Sequence, residues 1–294
     1  MKKNGKDMNA AVVTCGELAC LLDYDRELCK ELARFGIDTE PVRWDNEEQD
    51  WGKYDFLLMR TAWGYYKQYG KFLEFLSKIK KSGIKIFNSA DIMLVNSHKF
   101  YLKELKSAGV NIVPTHFIKR RTLMSISKIV KIGKWQKYII KPAVSAGSFN
   151  AVLFDADDPA GDEVFEGMIK ENDLLVQKFL PEISEGEYST IYFSGDFRYT
   201  VRKTPKPGEY RVQKDYGGNY ERVIPPQAVI SECEKIVEIL DAAYLYARID
   251  GVLAGGRFWI MEVEMIEPDL YMDIVPEAVP QFAKLIASRA KNEI

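Results

Sequence analysis

The sequence predicts an α/β protein that opens on a parallel α/β unit and ends in strand-rich lobes. Three observations carry this. Short apolar runs alternate with helix-period segments through the first third, and the helices there stop at glycines. Past residue 170, strands follow one another through tight glycine turns. A length of 294 residues also leaves room for roughly two or three lobes around a cleft.

Ala10–Thr14 is an apolar run ending near Gly16, and it reads as the first strand. A helical pattern follows from Asp25 to Phe35 and stops at Gly36, since glycine takes the left-handed conformation that closes a helix. Thr39–Val42 and Asp55–Met59 are the next strands; a helix around Lys71–Lys81, closed by Gly83, leads to the strand Ile84–Phe87. This unit ends near residue 96. Ser97 then caps a helix through Ala108 with Gly109 as its stop, followed by a strand at Ile112–Phe117. A helix near Thr122–Ile132 and the strand Tyr138–Lys141 complete a second small unit. Strands are expected at Asp173–Phe179, Glu187–Phe193, Asp196–Lys203, Tyr246–Leu253 and Arg257–Glu264, and helices at Gly161–Lys170, Pro226–Tyr244 and Val279–Lys291. Ser194-Gly195-Asp196 and Ala254-Gly255-Gly256 read as hairpin turns. Thr204–Tyr220 is a polar stretch with two prolines and three glycines. A loop that long inside a compact domain is usually a lid or binding loop.

The composition, 47% hydrophobic and 29% charged, supplies enough apolar side chain for real cores. Lysines and arginines number 41 against 43 acids, which argues against a nucleic-acid binder with a broad basic face. Four scattered cysteines make no disulfide framework, and with only His98 and His116 beside them a structural zinc site is not expected. The apolar run after Met1–Asp7 is short and interrupted by Glu17, so no signal peptide is read. No stretch approaches the roughly 18 apolar residues of a membrane span. The expectation is a cytoplasmic protein without membrane or nucleic-acid partners; a homo-oligomer is left open.

Three constellations carry chemistry. In the first, the strand Tyr138–Lys141 ends in a lysine and runs into the small-residue loop Pro142–Ser148, before Val152–Phe154 returns. Small residues let backbone N–H groups approach phosphate oxygens, and the lysine adds a point charge. Alone, this segment reads more often as a plain hairpin turn. The second is Asp250 followed by Glu262 and Glu264. Side chains two apart on a strand share a face, so the two glutamates project together. Whether Asp250 joins them depends on the turn: a two-residue turn at Gly255-Gly256 aims it away, whereas a three-residue loop, or a G1 bulge, shifts the register by one and unites all three. Three such carboxylates suit magnesium on ATP phosphates, and a solvated acidic edge is the alternative, disfavoured by Ile249, Val252, Ile260 and Val263. The third is Arg198, Arg202, Lys203, Lys206, Arg211 and Lys214, either an anion-holding cluster or a solvated basic loop.

In this order, these residues resemble the ATP-grasp ligases, in particular bacterial glutathione synthetase and the cycloserine-forming ligases. The resemblance covers most of the chain and implies an ATP-grasp fold: an N-terminal domain at 1–96, a central lobe at 97–180 and a C-terminal lobe with a metal site at 181–294. It implies two phosphate-binding lysines, Lys99 and Lys141, with the loop at Ser145, Gly147 and Ser148. Gln177, Phe179 and Leu180 match the hinge that holds adenine, and Glu187 the acid on the ribose. Arg202 and Arg211 match arginines on the transferring phosphate or the substrate, and Asp250, Glu262 and Glu264 the magnesium ligands. Arg60, Trp63 and Tyr65 resemble a stretch of the cycloserine-type ligases that borders the substrate.

Ser189 stands where glutathione synthetase has an arginine, and Glu264 where an asparagine is usual; the first argues against glutathione chemistry. The implied function is an ATP- and Mg2+-dependent carboxylate–amine or carboxylate–thiol ligase, with Mn2+ as a substitute, acting on small amino-acid-like molecules through an acyl phosphate. The rival readings are an ATP-grasp kinase for a hydroxylated metabolite and a module that binds nucleotide without turnover.

Overall fold

Thirteen strands form three sheets in the computed structural model, which describes residues 8–16, 21–240 and 244–293. Met1–Asp7, Glu17, Cys20 and the last turn expected of the helix before Tyr244 lie outside the described residues.

The first sheet contains β1 (Met8–Thr14), β2 (Ile37–Arg43), β3 (Phe56–Thr61) and β4 (Lys85–Phe87), all parallel in the order β2-β1-β3-β4. Helices α1 (Asp23–Arg34) and α2 (Tyr69–Ser82) make the crossovers. Both faces of the sheet are covered, and alternate residues enter separate cores: Ala10, Phe56 and Leu58 pack with α1, whereas Ala11, Leu57 and Met59 pack with α2. Gly83, at φ 73°, closes α2 as expected.

One helix, at Ala90–Asn96, is not among those the sequence predicts. Ser89, not Ser97, is the cap: its hydroxyl accepts from Ile92 N at 3.3 Å and starts α3 (Ala90–Asn96). Ser97 ends α3, with its hydroxyl donating back to the Leu94 carbonyl. The next residues are drawn toward the second sheet by Lys99 N–H on the Ala143 carbonyl (2.8 Å), so α4 (Tyr101–Ser107) begins later than expected.

The second sheet is antiparallel, with β5 (Thr115–Ile118), β6 (Lys137–Pro142), β7 (Val152–Asp155) and β8 (Leu174–Lys178) in the order β5-β8-β6-β7. Helices α5 (Ile126–Gly133) and α6 (Ala160–Met168) cover one face. The third sheet runs β11-β10-β9-β12-β13, from β9 (Glu187–Phe193), β10 (Asp196–Thr204), β11 (Asn219–Val223), β12 (Tyr246–Ala254) and β13 (Arg257–Glu264). Strand β11, the end of the long polar stretch, pairs with β10 and was not anticipated. Helix α7 (Gln227–Leu240) packs under Ile249 and Val263 on one face of this sheet. On the other, α8 (Ala278–Glu293) shares a core with Ile191, Phe193, Tyr246 and the first sheet.

Buried polar side chains lock the first sheet to the third. Asn88 donates to the Tyr246 and Met265 carbonyls, both at 2.8 Å, and accepts from Leu245 N–H. Asn96 bonds both Val263 O and Met265 N. Buried amides satisfied in this way fix one arrangement, because any shift strands their donors.

Candidate active site

The β12–β13 hairpin settles how its acids face. Its turn is the two-residue kind, with Ala254 opposite Arg257 and both Gly255 and Gly256 at positive φ. That turn alone would have turned Asp250 away. A bulge deeper in the ladder, between Asp250 and Gly251, skips Met261 and pairs Asp250 with Glu262. Gly251 allows the close approach there, since a Cβ would lie 2.5 Å from the Trp259 carbonyl.

Asp250, Glu262 and Glu264 therefore share a face with their cross-strand neighbours Ser189, Glu187 and Lys203. They are bridged by cations. Arg248 reaches Asp250 at 2.9 Å and also bonds Glu264, while Lys99 sits 2.7 Å from Glu262. Ser189 donates to Asp250 at 2.5 Å. Burial opposes the charge on Asp250, but Arg248 and Lys203 outweigh it and hold that carboxyl below its usual range. Glu264 goes the other way: burial, with Glu262 and Asp250 adding to it, pushes its carboxyl up to about 8. In this arrangement no three acid, histidine or cysteine side chains among the described residues stand close enough to enclose a metal ion. The donor set nevertheless fits one. All three groups offer oxygen, as a hard divalent ion requires, and their crowding on one buried face favours added positive charge.

Opposite these acids lies the end of β6. Lys141 projects there, bonded to Gln177 at 3.0 Å, and burial pushes its ammonium down to about 8. Lys99 also bonds the carbonyl of Ser145, which anchors the small-residue loop. Gly147 and Ser148 both take positive φ in that loop. Beside the lysines is an apolar slot between the second and third sheets, lined by Ile139, Gln177, Phe179, Leu180, Val252 and Met261. It contains all three expected hinge residues. Glu187 is the cross-strand neighbour of Val252 in this slot and pairs with Lys203, between the slot and the carboxylates.

The long stretch 204–220 folds over this region: Val212 is buried with Ile183 and Val252, and the Tyr210 ring meets Phe179 at 6.0 Å. Gly218 permits the tight path, because a Cβ there would collide with the Val212 carbonyl. Two arginine expectations need revision. Arg202 lies opposite Tyr188 on the other face of the sheet and pairs with Glu221 at 2.6 Å near solvent, so it faces away from the carboxylates. Lys203, one residue on, faces them. Arg211 is held within its own loop by Glu209 (2.7 Å) and lies over the Tyr216 ring (3.6 Å). The buried guanidinium at the acids is Arg248, which the sequence reading missed. Its signal was present, as the one cation inside the apolar run Tyr246–Leu253, two residues before Asp250.

The N-terminal motif divides. Arg60 is fully buried with Asp25 (2.8 Å) and is not open to a substrate. Trp63 donates its indole N–H to the Glu267 carbonyl at 3.1 Å, and Tyr65 is buried and packs on Phe72.

An apolar slot between two antiparallel sheets, Lys141 bonded to its Gln177, and Lys99 on the acids of a facing hairpin are the arrangement of an ATP-grasp enzyme. Residues 101–268 match the family described as prokaryotic glutathione synthetase, ATP-grasp domain, and the chain belongs to that family. Residues 10–88 match the N-terminal domain of D-cycloserine synthetase DcsG. The cycloserine biosynthesis protein DcsG of Streptomyces lavendulae is 20% identical over 288 residues, 92% of this chain and 95% of that one. The glutathione synthetase of Neisseria meningitidis serogroup B is 23% identical over 169 residues, 56% of this chain and 50% of that one. Among solved structures, D-cycloserine synthetase DcsG superposes with a TM-score of 0.84 at 17% identity, over 96% of this chain and 99% of that one. The ATP complex of Bacillus anthracis D-alanine–D-alanine ligase gives 0.74 at 15%, over 97% and 98%. The expected α/β ATP-grasp fold is thus observed, and the chain is an ATP-dependent ligase forming C–N bonds. No helix among the described residues is long and apolar enough to cross a membrane.

Proposed function

We propose that this ligase activates a small amino-acid-like carboxylic acid as its acyl phosphate and passes the acyl group to an amine. The observation that carries the reading is the convergence of Lys99, Lys141 and the hairpin carboxylates at the mouth of the apolar slot. The adenine lies in the slot against Phe179 and Leu180, and Glu187 takes the ribose. Lys141, Lys99 and the Ser145–Ser148 backbone hold the phosphates. Asp250, Glu262 and Glu264 hold Mg2+, which supplies further neutralising charge to them. The chain divides into parts at 1–96, 97–180 and 181–294, and works in the cytoplasm.

The substrate carboxylate attacks the γ-phosphorus and ADP leaves. Amine nitrogen then attacks the acyl carbon, and phosphate departs with the C–O electron pair. Positioning and fixed charge lower both barriers, with little covalent work for the protein. Arg248, on the acidic face, steadies the negative charge that develops on the acyl oxygen as nitrogen adds. The 204–220 segment keeps water from the acyl phosphate. ADP release screened over amino acids and dipeptides, with hydroxylamine as a trap, tests this. Hydroxamate formed with a productive acid supports the acyl phosphate; ADP release with a hydroxylated metabolite and no hydroxamate would establish a kinase instead.

A further inference from the structure

Five acids are buried among the described residues: Asp25, Glu187, Glu232, Asp250 and Glu267. Four have a cation. Arg60 serves Asp25 at 2.8 Å, Lys235 serves Glu232 at 2.9 Å, Arg248 serves Asp250 at 2.9 Å, and Lys203 serves Glu187. Among the described residues Glu267, only 6% exposed, has no ion pair and no hydrogen bond to another side chain, its carboxyl accepting only from its own backbone N–H. The cations nearest to it are already engaged: Lys99 by Glu262 and the Ser145 carbonyl, and Arg248 by Asp250, Glu264 and the Asp269 carbonyl. A buried carboxylate without a counter-charge is unstable in its ionised form, and burial pushes this one up to about 7.

Its position fits a purpose. Glu267 follows β13 three residues after Glu264, in the segment between the hairpin acids and the N-terminal sheet. Trp63 holds its backbone by the indole bond to its carbonyl, and the Glu267 carboxyl is, after burial, the group that most raises the buried Tyr65 hydroxyl's pKa. Lys99, paired with Glu262, is the cation that acts most on Glu267, so a ligand on Glu267 lies close to the lysine end of the acids.

We propose that Glu267 receives the cationic nitrogen of the amine substrate, a primary ammonium as in an amino acid, and that Trp63 is its positioning residue. This deepens the ligase reading and rests on it. The missing counter-ion is then the substrate itself: the ammonium passes one proton to the Glu267 carboxylate, and the neutral nitrogen's lone pair adds to the carbonyl activated at the lysines as phosphate leaves with the C–O electron pair. The N-terminal motif acts through Glu267 rather than by direct contact from Arg60.

Glu267→Gln keeps the shape and removes the charge. In urea unfolding at pH 8 without nucleotide the variant is expected to be at least as stable as the native protein; clear destabilisation would show a structural acid and overturn the proposal. That readout needs no substrate. With Mg-ATP and each proteinogenic amino acid in both enantiomers as the amine, Glu267→Gln is expected to raise KM for the amine by roughly 30-fold or more. The KM for ATP and the rate of hydroxamate formation with hydroxylamine should stay within about threefold, since neutral hydroxylamine needs no carboxylate partner. Trp63→Phe should raise the amine KM with kcat nearly unchanged. Equal loss of hydroxamate and ligation would assign Glu267 to the phosphate site; an unchanged amine KM would also overturn the proposal. Native protein that binds Mg-ATP but makes no hydroxamate with any acid would refute the ligase reading instead, leaving the unfolding result to judge Glu267.

Discussion

Lys141 is expected to cost the folded protein stability, and replacing it by methionine should reveal how much. Burial lowers its pKa from 10.5 to about 8. At about 1.36 kcal/mol per unit, the full shift corresponds to roughly 3 kcal/mol, which partial exposure reduces to about 2 kcal/mol. Losing the bond to Gln177 takes back about 1 kcal/mol, leaving a net gain of about 1 kcal/mol for Lys141→Met at pH 7. The sign follows from linkage. The folded pKa is the lower one, so the unfolded chain holds the proton more readily. The native protein carries the whole penalty below pH 8 and loses it as pH rises from 8 toward 10.5. Urea unfolding of both proteins at pH 7 and at pH 10 reads the difference. The variant should be more stable at pH 7, lose that advantage at pH 10, and fall by roughly two orders of magnitude in kcat/KM for ATP. A variant less stable at pH 7 by as much as at pH 10 would refute the burial argument, and one with native ATP turnover would refute the phosphate role.

Asp250→Asn or Glu262→Gln should abolish turnover while leaving the far-UV circular dichroism unchanged; full activity at ordinary magnesium would remove the metal assignment. Arg202→Ala should stay within about threefold of native activity, whereas Lys203→Ala and Arg248→Ala each lose roughly a hundredfold, because only the latter two face the acids; steady-state ADP release separates them. Mg-ATP should slow proteolysis within 204–220, and equal cleavage with and without nucleotide would make that segment a plain surface loop. No glutathione should form from γ-glutamylcysteine and glycine, as Ser189 offers only a hydroxyl to Asp250; formation at an ordinary enzymatic rate, followed by chromatography, would contradict this.

Much of the architecture was legible because it depends on local patterns. The parallel strands, the glycine stops and both hairpin turns followed from apolar period and turn chemistry. The helix at 90–96 escaped because Ser89 and Ser97 are equally good caps on paper; the choice is made by Asn88, Asn96 and Lys99 bonding to distant strands. Lys141 and the three hairpin acids were readable as types and spacings, and Lys99 only through the family resemblance, yet the unity of the acids depended on a bulge at Met261 that no turn residue announces. Arg202 and Lys203 show the limit most clearly. They are adjacent, so a strand sends them to opposite faces, and only the pairing of β10 with β9 says which face holds the acids. Arg248 and Glu267 matter through what surrounds them, and burial with or without a partner is a property of the folded chain.

Labelled oxygen tests the central claim most directly. Once the screen has supplied a productive acid and amine, the acid is enriched with oxygen-18 in its carboxylate and turned over with Mg-ATP. An acyl phosphate carries one carboxylate oxygen away when the amine displaces phosphate, so mass spectrometry should find oxygen-18 in the inorganic phosphate and an amide with correspondingly less label. Phosphate free of label, with both heavy oxygens retained on the acid-derived product, would show that the carboxylate is never phosphorylated and would contradict the account.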